Sequence, residues 1–136
     1  MFIDTSVFVE ILARLAEAEK FARTLEGASS LYTSPLVRLE AVMALSRFNL
    51  GSAAENQNAF DAFIQEAGVQ IIPIDDETAR VAVGAFEKYG RRSGSRAKLN
   101  LGDCMNYAVA KQHMLPMLSK GDDFPHTDIE LVRFTD

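Results

Sequence analysis

The chain opens with an apolar run, residues 1–3, that ends at Asp4. Such a run, closed by an acid, reads as a short strand. From residue 7 to 15 the apolar positions recur at helical spacing. A second helical stretch, 17–26, puts Phe21 and Leu25 on one face before Gly27. Residues 31–33 read as a strand. Ser34 and Pro35 then form an N-cap and first-helical-residue pair, opening a helix to about residue 49. Ser52-Ala53-Ala54-Glu55 has capping-box spacing and starts a helix that carries Phe60, Phe63 and Ile64 to near Gly68. Residues 69–74 are rich in β-branched side chains and read as a buried strand, with Pro73 marking an edge position or the strand's end. Asp75 or Asp76 caps a helix that runs to about Tyr89 and stops at Gly90. A helix from Asn100 or Leu101 to Gln112, a strand at 117–118, a loop at 121–128 and a last strand at 130–134 complete the pattern.

Strands alternating with helical crossovers predict an α/β fold, a three-layer α/β/α sandwich around a mostly parallel sheet. With no internal repeat and no Pro/Gly/Ser linker, the 136 residues are expected to form a single domain, 1–136. Hydrophobic residues make up 48% and charged residues 24%, which suits a packed globular chain rather than a disordered one. No apolar run approaches the ~20 residues of a membrane helix. With no basic leader and one cysteine, Cys104, the expectation is a cytoplasmic protein without a disulfide or multi-cysteine zinc site.

The net charge of −5 argues against a protein that binds nucleic acid by bulk electrostatics alone. It leaves room for an enzyme that meets a phosphate chain through bound metal and a local basic patch. Ligands of parallel sheets bind at the carboxyl ends of the strands. Asp4, Glu40, Asp103 and the pair Asp122 and Asp123 are all expected there, each beside apolar residues. Four carboxylates about 6 Å apart would repel by ~3 kcal/mol per pair at an effective dielectric of ~20, or ~17 kcal/mol in all. That equals a domain's whole stability of roughly 5–15 kcal/mol. Such a cluster must take up protons or cations, and hard oxygen ligands select Mg²⁺ or Mn²⁺. A metal so held activates water and stabilises the leaving oxygen of a phosphodiester. Taken singly, Asp103 also fits a helix-dipole role and Asp4 or Asp122 a turn role. Glu40 fits a solvated face least, because it sits beside Leu36, Leu39 and Met43.

Four segments, FIDTSVFVEIL, SPLVRLEAVMAL, AKLNLGDCMNYAVAK and LSKGDDFPHTDI, in this order and spacing, resemble a PIN-domain protein. They are most similar to the VapC toxin ribonucleases of bacterial toxin–antitoxin pairs, from Phe2 to about Ile129. The resemblance implies an acidic site at Asp4, Glu40, Asp103 and a fourth acid from Asp122 and Asp123, with Asp122 favoured because it comes first after the strand and Gly121. It further implies Mg²⁺, with Mn²⁺ as substitute, endonucleolytic cleavage of RNA, a homodimer, and neutralisation by a VapB-type antitoxin in a heterotetramer or larger complex. Ser119 departs from what many relatives carry before the last acid, and Glu10, Arg14 and Glu17 make the first helices unusually charged.

Thr5, Ser6, Ser119 and Asn106 are candidates to hydrogen-bond the metal-holding carboxylates. Thr5 and Ser6 equally fit an N-cap for a helix beginning at Val7, and Asn106 fits a surface or core role. Arg91, Arg92, Arg96 and Lys98, four positive charges in eight residues, are candidate RNA-phosphate contacts or a solvated loop. Arg38 and Arg47 are weaker candidates. Cys104 reads as a structural thiol, and His113 and His126 lack ligand-like partners. Phe60, Phe63, Phe86, Met43 and Met114 read as core or dimer contacts. The rival functions are a non-catalytic interaction module on the same fold, a DNA-directed nuclease, and a receiver-type phospho-acceptor domain using a late lysine such as Lys120. The last lacks an acceptor Asp near Thr33.

Overall fold

A computed structural model of the chain describes residues 1–134. Four strands, β1 (Phe2–Ile3), β2 (Leu31–Thr33), β3 (Val69–Ile71) and β4 (Met117–Leu118), form one parallel sheet in the order β3-β2-β1-β4. Six helices connect them: α1 (Thr5–Leu12), α2 (Ala18–Glu26), α3 (Pro35–Arg47), α4 (Ala53–Ala67), α5 (Asp76–Tyr89) and α6 (Leu101–Gln112). Successive strand residues point to opposite faces. Phe2 and Ile3 are both fully buried, as are Met117 and Leu118, so both faces of the sheet centre are covered. This is the α/β/α arrangement that the alternation predicts. Among the described residues, no helix is long and apolar enough to cross a membrane.

The local signals at the helix starts operate as expected. The Ser34 hydroxyl accepts from Val37 N, with Pro35 opening α3. Ser52 and Glu55 close a full capping box, Asp75 pairs with Thr78 in another, and Asn100 with Asp103 in a third. Gly68 takes the left-handed C-cap of α4 at φ 71°, a conformation cheap only for glycine. β3 lies at the sheet edge and ends at Ile71, so Pro73 costs no ladder bond.

Three expectations are corrected or narrowed. The first helix begins at Thr5, not Val7, because Asp4 itself is the N-cap, accepting from Ser6 N at 3.2 Å. Residues 130–134 do not form a strand. Leu131 makes a single parallel bridge to Met117, through Met117 N to Glu130 O and Val132 N to Met117 O. Of the two places expected for Met114, core or dimer contact, the core is excluded. The residue sits at φ 54°, just past the C-cap of α6, and is 91% exposed.

The chain runs outward from β1 to β2 and β3, then returns to place β4 on the other flank of β1. The strand order therefore switches direction between β1 and β4, where a parallel sheet leaves a crevice beyond its carboxyl ends. Asp4 leaves β1 at that point and Ser119 leaves β4. The backbone joins them, with Asp4 N donating to Leu118 O at 3.0 Å.

Candidate active site

A pocket at this switch point is lined by Asp4, Thr5, Ser6, Glu40, Asp103, Asn106, Ser119, Lys120, Asp123 and Phe124. Asp4 comes from the end of β1, Glu40 from the second turn of α3, and Asp103 from the first turn of α6. Asp123 comes from the loop after β4, just before a 3₁₀ turn at Phe124–His126.

Asp122 is exposed and does not line the pocket. Of the pair left open by the sequence, the one that lines the pocket is Asp123. Gly121 turns the chain at φ 112°, and the 3₁₀ turn, anchored by buried Phe124, carries the second acid of the pair inward. For two adjacent acids in a tight loop, spacing alone does not say which one will face the pocket.

Asp4 is almost fully buried and is held by four donors. Ser6 contributes its backbone N–H and its hydroxyl, the latter at 2.7 Å from Oδ2. Ser119 Oγ reaches the same oxygen at 3.3 Å, and Asn106 Nδ2 donates to Oδ1 at 2.9 Å. Thr5 Oγ1 donates to Glu40 Oε1 at 2.8 Å. All four polar residues singled out beside the acids thus touch this site, and Asn106 is neither on the surface nor satisfied within the core. Its Oδ1 is buried without a hydrogen-bond partner. The short hydroxyl bonds fix the carboxylates' directions, since charge-assisted bonds of this length are the strong ones.

The electrostatics are those of a cluster without its counter-charge. Among the described residues, no ion pair reaches Asp4, Glu40, Asp103 or Asp123. Desolvation pushes the Asp103 carboxyl up to about 7; the Asn100 N–H bond opposes this, while the charges of Asp4 and Asp123 and a hydrogen bond to Asp123 add to it. Glu40 is raised as well, first by desolvation and also by the Asp4 charge, against the lowering effect of its Thr5 and Asn106 bonds.

Gly102 is a position at the site that sequence reasoning overlooked. A Cβ there would stand 2.2 Å from Glu40 Oε2, so any larger residue would force this carboxylate to move. The available signal was a glycine inside the first turn of a helix, where alanine would be favoured.

The donor set consists of hard oxygens, which is the chemistry that Mg²⁺ and Mn²⁺ take. Among the described residues, no group of three or more acids is spaced to hold one ion.

The PIN domain family model matches residues 1–130, which include every one of these pocket residues. The chain belongs to the PIN-domain family. This PIN domain is 40% identical to a VapC ribonuclease of Rhizobium meliloti (strain 1021), over 94% of this chain and 98% of that protein. It is 36% identical to the ribonuclease VapC42 of Mycobacterium tuberculosis, over 95% and 96%. Two solved structures share its fold. Mycobacterium tuberculosis VapC20, a sarcin-ricin loop cleaving toxin, superposes with a TM-score of 0.76 at 18% identity, covering 97% of this chain and 98% of that one. VapBC2 from Rickettsia felis, bound to a DNA fragment from its promoter, gives 0.75 at 13% identity, covering 98% of each.

The remaining candidates of this PIN domain lie elsewhere. Arg91, Arg92, Arg96 and Lys98 are exposed on the loop before α6, and none lines the acidic pocket. Arg91 and Arg92 instead flank an apolar groove with Val83, Phe86 and Leu101, between α5 and α6. Arg38 is occupied: it pairs with Asp61 at 2.6 Å and lies over the Phe60 ring. Cys104 is buried, and desolvation raises its thiol above the usual range, as befits an inert thiol. Phe60 is a core residue packed on Phe8, with Phe63 edge-on to the same ring, whereas Phe86 and Met43 are exposed.

Proposed function

We propose that residues 1–136 act as a single PIN domain, the toxin of a type II toxin–antitoxin pair, and cleave RNA as a metal-dependent endoribonuclease. The observation that carries this reading is the convergence of Asp4, Glu40, Asp103 and Asp123 at the sheet's switch point with, among the described residues, no ion pair to any of them. The curated relatives named as VapC ribonucleases, at 36–40% identity over most of the chain, support it.

In this reading Asp4, Glu40, Asp103 and Asp123 hold Mg²⁺, with Mn²⁺ as substitute. A bound divalent cation supplies the neutralising charge and makes a water nucleophilic near pH 7. The chain's own residues supply position. Ser6, Ser119 and Asn106 fix Asp4, and Thr5 fixes Glu40. Without a bound cation the Asp103 carboxyl stands near 7, so holding one would displace its proton and free its oxygens as ligands. Asn106 Oδ1, buried and unpaired, accepts a hydrogen from a water in the pocket. The basic loop of Arg91, Arg92, Arg96 and Lys98 holds the RNA strand further out.

The reading extends to partners. Exposed Leu39 and Met43 on α3, Val83 and Phe86 on α5, and Leu101 on α6 are apolar surface that a homodimer or an antitoxin would bury. A VapB-type antitoxin is the expected partner, in a heterotetramer or larger complex, working in the cytoplasm.

The test is cleavage of a mixed RNA pool by antitoxin-free protein, beside single-stranded DNA of matched sequence. Reactions contain Mg²⁺, Mn²⁺ or EDTA, and Asp103→Asn is run at equal folded concentration. The reading predicts RNA cuts that need the metal and vanish in the variant. DNA cut as readily as RNA would move the assignment to a DNA-directed nuclease. A folded protein that binds metal but cuts neither would be an interaction module.

A further inference from the structure

Lys120 is the one basic residue, among the described residues, that lines the acidic pocket, yet it neutralises none of the four acids. Its side chain is pinned at both ends along α1. The Lys120 backbone N–H donates to Ser6 Oγ at 2.9 Å, and its ammonium donates to Glu10 Oε2 at 2.8 Å. Ser6 and Glu10 are four residues apart on one helix, hence on one face, and act as a rail for the lysine. Glu17 stands at 3.8 Å from the same ammonium and donates its backbone N–H to Glu10 Oε1 at 2.7 Å. Both oxygens of Glu10 are therefore occupied, and its side chain is only 2% exposed. The lysine side chain remains 43% exposed.

Burying a carboxylate in the first helix is poor economy for stability, because a well-packed apolar residue usually does as well or better. What the pair accomplishes is placement. It holds one positive charge at the pocket rim while keeping it off the carboxylates that must receive a cation. An RNA strand entering this pocket meets four acids, plus Glu10 and Glu17 beyond them, and its phosphates need a counter-charge. The geometry points to Lys120 as a phosphate clamp that engages the RNA backbone beside the acidic centre, with Glu10 as its positioning residue. This rests on the ribonuclease reading for the identity of the strand.

Its test separates binding from cleavage. A fluorescently labelled single-stranded RNA is titrated with the full chain in EDTA and in Ca²⁺. Binding is followed by anisotropy across a salt series, gels confirm that the RNA stays intact, and Mg²⁺-dependent cutting is measured separately. Lys120→Met is expected to weaken RNA binding roughly five- to tenfold and to lower the salt slope by about 0.7, the value of one phosphate contact on a single strand. Lys120→Arg should restore most of the affinity. In cleavage the loss should fall on KM, with kcat within about threefold. Glu10→Gln should weaken binding about threefold alone and not at all on top of Lys120→Met. Thermal melts verify folding, and Lys120→Gln replaces Lys120→Met should the latter not fold.

An unchanged affinity and salt slope in Lys120→Met, or a parent chain that binds no RNA in either condition, would overturn the clamp, however well Mg²⁺-dependent cutting proceeds. An equal Glu10→Gln effect in both backgrounds would overturn the role of Glu10. A parent that binds RNA through Lys120 but never cuts it would leave the clamp standing and overturn the ribonuclease reading.

Discussion

Glu10 and Asp103 are two shielded carboxylates, one paired with a lysine that lines the acidic pocket and the other lining it directly, and the fold treats them in opposite ways. Glu10 has a lysine on one oxygen and a backbone N–H on the other, and the Lys120 hydrogen bond, ahead of burial, holds its carboxyl below the usual glutamate range. Asp103 has a backbone N–H but no cation; desolvation, with Asp4 and Asp123 beside it, lifts its carboxyl to about 7. A chain able to compensate one acid this fully could have compensated the other. The difference teaches where the charge balance is closed inside the protein and where it is left open for something from outside.

The largest effect that would sharpen this contrast is on chemistry. Asp103→Asn or Asp4→Asn should lower Mg²⁺-dependent RNA cleavage on the order of 10²–10⁴-fold, read by single-turnover gel assays. Glu10→Gln should lower it far less at saturating RNA. Equal losses from both acids would erase the distinction between them. Next in size is Gly102→Ala. Its added methyl displaces Glu40, so we expect a cleavage loss of about a hundredfold, although alanine by itself favours the helix by roughly 1 kcal/mol. Retained activity would show that Glu40 is free to move without cost.

Stability should separate the two acids by sign. Asp103 binds its proton more tightly folded than unfolded, from an ordinary 3.8 to about 7. Its contribution is fully present below about pH 4 and is lost as pH rises towards 7. Metal-free protein should therefore melt at progressively lower temperature between about pH 5 and 7.5, by an amount on the order of 1–2 kcal/mol after solvent screening. Asp103→Asn should flatten that slope and melt higher than the parent at pH 7.5. Glu10 works the other way: its contribution is present above its ordinary 4.5 and is lost as pH falls below it. Glu10→Ala should lower the melting temperature at pH 7 by roughly 3–6 °C. The smallest effect is expected from Ser119→Ala, because its hydroxyl sits at 3.3 Å from an Asp4 oxygen already served by Ser6. We expect less than about a threefold change in cleavage rate, checked in the same assay.

Much of the frame is legible in local chemistry. Ser34-Pro35, the Ser52 capping box and Asp75 each start a helix where their side chains say it should start. The acids Asp4, Glu40 and Asp103 are legible because each follows a strand or opens a helix at one end of a parallel sheet. What escaped depends on contacts across the chain. Asp4 caps α1 and also faces the pocket, a double role that moves the helix start two residues from where the apolar spacing puts it. That Asp123 rather than Asp122 lines the pocket follows the turn at Gly121 and the 3₁₀ turn, which no spacing rule encodes. Glu10 and Lys120 meet across 110 positions, so each alone reads as surface charge. The expected last strand failed because a β-rich stretch needs a partner over several residues, and β4 is only two residues long.

The account's central claim is that the acidic pocket is left uncompensated in order to receive a cation. Proton release on metal binding tests it most directly. Mg²⁺ and Mn²⁺ are titrated calorimetrically into the partner-free protein at pH 7, in buffers of differing ionisation enthalpy. With the Asp103 carboxyl near 7, binding should expel about half a proton at pH 7, and next to none at pH 9. Asp103→Asn should bind weakly and release none. Binding without proton release, at equal affinity in parent and variant, would contradict the claim.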